Sequence, residues 1–233
     1  MGRRIKDAYD KYTNNLLNTG DTSRLEDLHI QTVGAKVYST EITSRGIETC
    51  RIMCGGHGYS ALSGFGRKYA NAVSAVTYEG DNYVIAQQVP RAILKHYNAS
   101  VSSTMAQDHA LAKGCRKSAT IVPSLSYLSL LRNPAATGLL NVDRQRDWFN
   151  TDNQKWVLEH RLVVLVKRHM DDTIRGIDTS FTVHALTMAH CDFVYWNGLQ
   201  ELIADASPLF KEELESLAHV VSSSRLLART RVS

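Results

Sequence analysis

The chain contains no apolar run of the roughly 18 residues that a membrane span needs. It has no block of five or six like charges, and its formal net charge is only +4, so a nucleic-acid groove is not implied. Cysteine is sparse. Cys50, Cys54, Cys115 and Cys191 do not make a disulfide framework in 233 residues, and reduced thiols in an intracellular compartment are expected. The opening MGRRIKDAYD lacks the apolar core of a signal peptide, and the closing TRVS is not a Ser-Lys-Leu type of peroxisomal ending. The glycosylation match NAS at 98–100 therefore carries little weight. Alternation of apolar and polar residues never persists for more than a few positions, which argues against strands. The remaining composition, 43% hydrophobic and 21% charged, is that of a folded chain with ample core material.

What is present is helical periodicity, and the expected fold is all-α. RRIKDAYDKYTNNLLN ends at Asn18-Thr19-Gly20, with glycine just past the helix stop. SRLE at 23–26 reads as a capping box, with Ser23 as cap and Glu26 reaching back. The next helix places Leu25, Leu28, Thr32, Ala35, Tyr38 and Ile42 on one buried stripe and should stop before Gly55-Gly56. Residues 55–66 hold five glycines and are expected to form a shaped loop. A short helix around RKYANAVSA leads to TYEG. A further helix carries Val84, Ile85, Gln88, Ala92 and Ile93, with Pro90 kinking it or restarting its last turn. The Ser-, Thr- and Ala-rich segment 98–124 is the expected linker between a first part, 1–97, and a second, 125–233. After LSYLSLLRNP, one helix covers about 151–175 with Trp156, Leu162, Val163, Val166 and Met170 on one face. Another covers about 179–205 with Phe181, Ala185, Met188, Tyr195, Leu199 and Ile203. A third opens at Ser207-Pro208 and runs through Leu214, Leu217 and Val221.

Five local patterns invite a chemical reading, and four have stronger structural explanations. Gly56-x-Gly58-x-x-Ala61 satisfies a dinucleotide fingerprint formally, but that motif needs a strand before it and here a helix precedes. Cys50, Cys54 and His57 lack the partner pair of a zinc site, so no metal is expected and buried thiols packing against the helix are the better account. Tyr195, Trp196 and Trp156 have the spacing of core aromatics. Lys167-Arg168-His169 beside Asp171 and Asp172 reads as a solvated helix face. Glu79 is different. Asp81 and Asn82 are better placed to cap the following helix, which leaves Glu79 without an evident structural task and followed by Gly80, where another group can approach the backbone.

CGGHGYS, then TYEGDN, then a helix with QQ, in this order and spacing, resembles the acyl-CoA oxidases, flavoenzymes related to the acyl-CoA dehydrogenases. The resemblance covers nearly the whole chain but only the C-terminal portion of such an enzyme. It implies a helical bundle of the acyl-CoA dehydrogenase/oxidase C-terminal type followed by a second helical domain. Glu79 would be the catalytic base, removing the proton next to the thioester carbonyl. Its backbone N–H, with Gly80 beside it on the substrate side, would polarise the thioester oxygen. Burial beside flavin and acyl chain would raise the carboxyl's pKa. Gly55 and Gly56 would approach FAD held by the neighbouring subunit of a homodimer, and Asn82 would face that cofactor. The products would be trans-2-enoyl-CoA and hydrogen peroxide, in the peroxisome. The family's N-terminal helical domain, β-domain and the start of its central bundle have no counterpart here, so a truncated product unable to turn over alone is expected. The rival readings are an acyl-CoA dehydrogenase that uses an electron carrier and a catalytically silent helical dimerisation module.

Overall fold

Gly20 adopts a φ of +68°, so its N–H reaches the Leu16 carbonyl at 3.0 Å and α1 (Gly2–Thr19) ends there, as its position predicts. The computed structural model describes residues 2–110, 123–132, 150–208 and 210–216; Cys115, Leu217 and Val221 lie outside the described residues. Every regular element among the described residues is helical, in agreement with the expected fold class.

The central element is α2 (Leu25–Met53). It is not opened by a capping box. The Ser23 amide and hydroxyl donate to the Asp21 carboxylate at 2.8 and 2.9 Å, a local turn that competes successfully for the serine, and Glu26 pairs instead with Lys95. Nor is one stripe of α2 buried. Leu25 and Thr32 are exposed, whereas Ile30, Gly34 and Val37 join Leu28 and Tyr38 inside, because helices pack on α2 from several sides. Gly34 lets α9 come close, since a Cβ there would stand 2.9 Å from Cys191 Sγ.

The glycine run is not an open loop. It folds as α3 (Gly55–Tyr59), a 3-10 turn (Ala61–Ser63) and the first residues of α4 (Phe65–Ser74). Gly58 lies so close to the last turn of α2 that a Cβ would meet the Arg51 carbonyl oxygen at 2.0 Å, and Gly64, at φ +70°, turns the corner into α4. Downstream, the single helix expected around Pro90 is divided at Gln87 into α5 (Asn82–Ala86) and α6 (Gln88–Ala110). Pro90 falls in the first turn of α6, where its missing N–H would have had no intrahelical partner.

α6 runs through 98–110, the first half of the segment read as a linker. Beyond it, α7 (Leu128–Arg132), α8 (Thr151–Ile174) and α9 (Ser180–Asp205) follow, and 210–216 is helical again with Leu214 packed against Leu199 and Ile203. Asn150 caps α8 through the Asp152 amide at 2.8 Å. Ile30, Val89 and Ile93 share one core with Leu125, Tyr127, Leu162, Val166 and Phe193, so the segments on either side of 98–124 pack together. Two assignments in the α8–α9 pair are corrected. Phe181 is exposed, with the Arg168 guanidinium 5.7 Å from its ring centroid. His169 is not part of a solvated face, for it is buried with Nδ1 2.9 Å from Thr182 Oγ1, while Lys167 and Arg168 do face solvent. Of the three aromatics expected in the core, Trp196 is buried and donates to Gln154 Oε1 at 3.0 Å, whereas Tyr195 is half-buried and Trp156, also half-buried, stacks on the exposed His160.

His190 is buried on α9 beside Tyr127, and burial lowers its pKa to about 4. Burial lowers that of His169 as well. A histidine depressed on folding stays neutral in the native state after its unfolded counterpart has taken up a proton. Its contribution is present above about pH 6.5 and is lost as pH falls toward 4. Chemical denaturation at pH 7 and pH 4.5 should therefore show a loss of about 2 kcal/mol from His190. A His190→Gln variant should have a flatter profile over the same interval.

Candidate active site

The segment 75–82 connects α4 to α5 and is built around two consecutive positive φ angles, Glu79 at 57° and Gly80 at 102°. The left-handed region disfavours a residue with a Cβ, and such residues concentrate where function constrains the backbone. The Asn82 amide donates to the Val76 carbonyl at 3.0 Å and closes the loop. Asp81 caps α5 by accepting the Tyr83 N–H at 2.9 Å. Glu79 is exposed, and no hydrogen bond or ion pair within the described residues engages its carboxylate. Capping thus falls to Asp81, and Glu79 projects from a fixed turn. Gly80 admits no side chain, because a Cβ there would lie 2.7 Å from Ile85 Cγ2 in addition to the strained φ.

Asn82 is turned inward. Its Nδ2 donates to Thr40 Oγ1 at 3.0 Å and its Oδ1 accepts from Lys36 Nζ at 2.7 Å. The α9 side holds the other end of α5, where Thr187 Oγ1 donates to the Ala86 carbonyl at 3.0 Å. Close by, Glu41 on α2 meets His184 on α9 at 2.9 Å. Burial pushes the Glu41 carboxyl up, but His184, Arg45 and Asn82 together outweigh it and hold the group below the usual range.

Gly55 and Gly56 stand at the far end of α2. A Cβ at either would meet nothing within 4 Å, so their backbone is open to an approaching group. Exposed apolar side chains flank the turn: Ile52, Met53, Tyr59 and Leu62, the last 99% exposed. Cys50, Cys54 and His57 are exposed too, which overturns the expectation of buried thiols. They sit in the last turn of α2 and just after it, on the side that α3 leaves open to solvent. No three-ligand metal cluster occurs among the described residues.

Among the described residues, the glycine pair and Glu79 are attached to different stretches of α2. The Glu79 loop is tied to α2 at Lys36 and Thr40, and the glycine turn begins after Met53. At 1.5 Å per residue, Thr40 and Cys54 are about 20 Å apart along the helix. Two grooves, of about 680 and 550 Å³, lie along α1 and α9, and neither is lined by Glu79 or the glycines. Lys36, Thr40, Glu41, His184 and Thr187 were not legible as site residues, because each acts across helices. The one local signal was a lysine set within the apolar stretch GAKVYS at 34–39.

A family model described as acyl-CoA oxidase, C-alpha1 domain, matches residues 1–94, a span that includes α2, the glycine turn and Glu79. Peroxisomal acyl-coenzyme A oxidase 1 of Mus musculus is 42% identical over 98 residues, 42% of this chain and 15% of that protein. The crystal structure of an acyl-CoA oxidase from tomato (Lycopersicon esculentum) superposes with a TM-score of 0.76 at 27% identity, covering 95% of this chain and 33% of its own. The chain matches the acyl-CoA oxidase family. Acyl-CoA oxidase-1 of Caenorhabditis elegans, solved in complex with FAD and ATP, shares the fold with a TM-score of 0.73 at 22% identity over 97% of this chain and 33% of its own. The chain spans about a third of the solved relatives and a smaller share of the mouse protein. The TYEGDN and CGGHGYS segments that carried the resemblance both fall inside the family match.

Proposed function

We propose that the chain is the base-bearing part of a FAD-dependent acyl-CoA oxidase of fatty-acid β-oxidation, working in the peroxisome. The observation that carries this reading is Glu79, exposed and unengaged on a left-handed turn that neighbouring helices fix in place. A carboxylate so held meets the needs of a general base, which must reach its proton at a set distance and not be committed to another partner.

In this reading the Glu79 carboxylate removes the α-proton of the acyl thioester, and the backbone N–H of the same residue donates to the thioester oxygen as negative charge develops there. Gly80 keeps the approach clear on the substrate side. The open backbone at Gly55 and Gly56 fits a phosphate-bearing group, and the two would face the diphosphate of FAD. FAD bound there would supply the hydride acceptor for the β-hydrogen and the route by which the electron pair reaches oxygen. Acyl-CoA and oxygen thereby yield trans-2-enoyl-CoA and hydrogen peroxide. The 20 Å separation along α2 fits a cofactor that reaches the glycine turn from another subunit, and the apolar flank of that turn supports a homodimer. Asn82, with its amide engaged by Lys36 and Thr40, supports the loop from behind.

A chimera tests the proposal, with this chain replacing the corresponding third of the tomato enzyme. Aerobic assay with palmitoyl-CoA should release peroxide and enoyl-CoA in equal amounts. Enoyl-CoA that forms only with an added electron acceptor would assign a dehydrogenase. A well-folded, FAD-loaded chimera forming neither product would leave the chain a silent helical module.

A further inference from the structure

A glutamate at φ 57° next to a glycine at φ 102° does not hold itself in place. A non-glycine residue persists in the left-handed region where its surroundings over-determine the backbone. Beside the loop's own hydrogen bonds, one side chain on α2 reaches it at three points. An ammonium carries three N–H donors, and Lys36 has three acceptors: the Val76 carbonyl at 3.2 Å, the Gly80 carbonyl at 2.6 Å and Asn82 Oδ1 at 2.7 Å. None is a carboxylate, so Lys36 binds the loop itself and not a counter-ion. Its acceptors bracket Glu79 in sequence, one before it, one directly after it and one at the first residue of α5. Two of them are tied further, since the Val76 carbonyl also accepts the Asn82 N–H and the Asn82 amide also donates to Thr40.

We propose that Lys36 is the positioning residue of the base: its ammonium gathers the Val76 and Gly80 carbonyls and the Asn82 side chain at one point on α2, and so sets the turn from which the Glu79 carboxylate projects. The proposal rests on the reading of Glu79 as the base. Hydrogen bonds from a charged donor are stronger than neutral ones, which suits a turn whose backbone is disfavoured in isolation. A methionine of similar length keeps the packing of the aliphatic stem and supplies no donor. An arginine keeps the charge and several donors in a different geometry.

Two measurements on Lys36→Met and Lys36→Arg decide it. In the 233-residue chain, hydrogen–deuterium exchange over 76–82 should accelerate by about tenfold in Lys36→Met while α8 and α9 keep their protection, and Lys36→Arg should retain most of the slowing. In the tomato chimera, Lys36→Met should lower kcat by about tenfold to a hundredfold with KM for palmitoyl-CoA within about twofold, and Lys36→Arg should recover part of the loss. Unchanged exchange over 76–82 overturns the clamp. Faster exchange with unaltered kcat overturns the positioning role and leaves Lys36 a structural residue. A chimera that stays fully active as Glu79→Gln removes the base, and the positioning role with it, while the exchange difference remains a property of the loop. Should the chimeric variant fail to fold, exchange in the chain alone decides the clamp.

Discussion

Glu79→Gln in the tomato chimera should lower the rate of enoyl-CoA formation by about a thousandfold, within the range that loss of a general base produces. Glutamine matches glutamate in shape and chain length, so the turn at φ 57° carries the same strain and the same backbone N–H in both proteins. What changes is the ability to take a proton. Flavin content and affinity for a non-reacting acyl-CoA analogue should therefore stay within about twofold of the parent, which places the loss in kcat. Glu79→Asp provides the complementary test, because it retains the carboxylate and withdraws it by one methylene; an intermediate rate is expected if distance matters as it should. Undiminished turnover by the glutamine variant would assign the proton abstraction to another group and leave this chain only an interaction role.

Phe193→Ala should destabilise the chain by about 3–5 kcal/mol, the cost of deleting a large buried aromatic and leaving a cavity. Phe193 is 1% exposed on α9 and meets the Tyr127 ring edge-on, with centroids 5.4 Å apart. Its core includes Ile30 of α2 and Val89 and Ile93 of α6, which come from the other side of the 98–124 segment. Thermal unfolding followed by circular dichroism should show one transition, lowered by about 10 °C or more. Two transitions, of which only the later one moves, would mean that the two parts melt separately despite their common core. The consequence for the site is direct, because α9 also holds α5 through Thr187 and meets Glu41 through His184. Loosening α9 is expected to loosen the loop that carries Glu79.

Local chemistry made much of this protein legible before any coordinates. A helix that must stop at Gly20, the end of α2 before Gly55-Gly56, the spans of α8 and α9 and the isolation of Glu79 all follow from capping, backbone freedom and period, which act within a few residues. The failures share one cause. Ser23 left the capping box for Asp21, Phe181 turned outward to Arg168, His169 went inside to Thr182, and Cys50 and Cys54 stayed exposed. In each case the deciding partner, or the absence of a covering helix, was not set by the period of the helix itself.

By itself the sequence determined an all-α chain and singled out one carboxylate with no structural employment. Only the tertiary structure decided that Lys36, forty-odd residues upstream, grips the turn beneath that carboxylate, and that the glycine turn stands about 20 Å away along the same helix. Period and propensity govern which face of a helix is apolar. Which atoms on neighbouring helices come within bonding distance depends on how those faces cross, and that is a property of the packed chain alone.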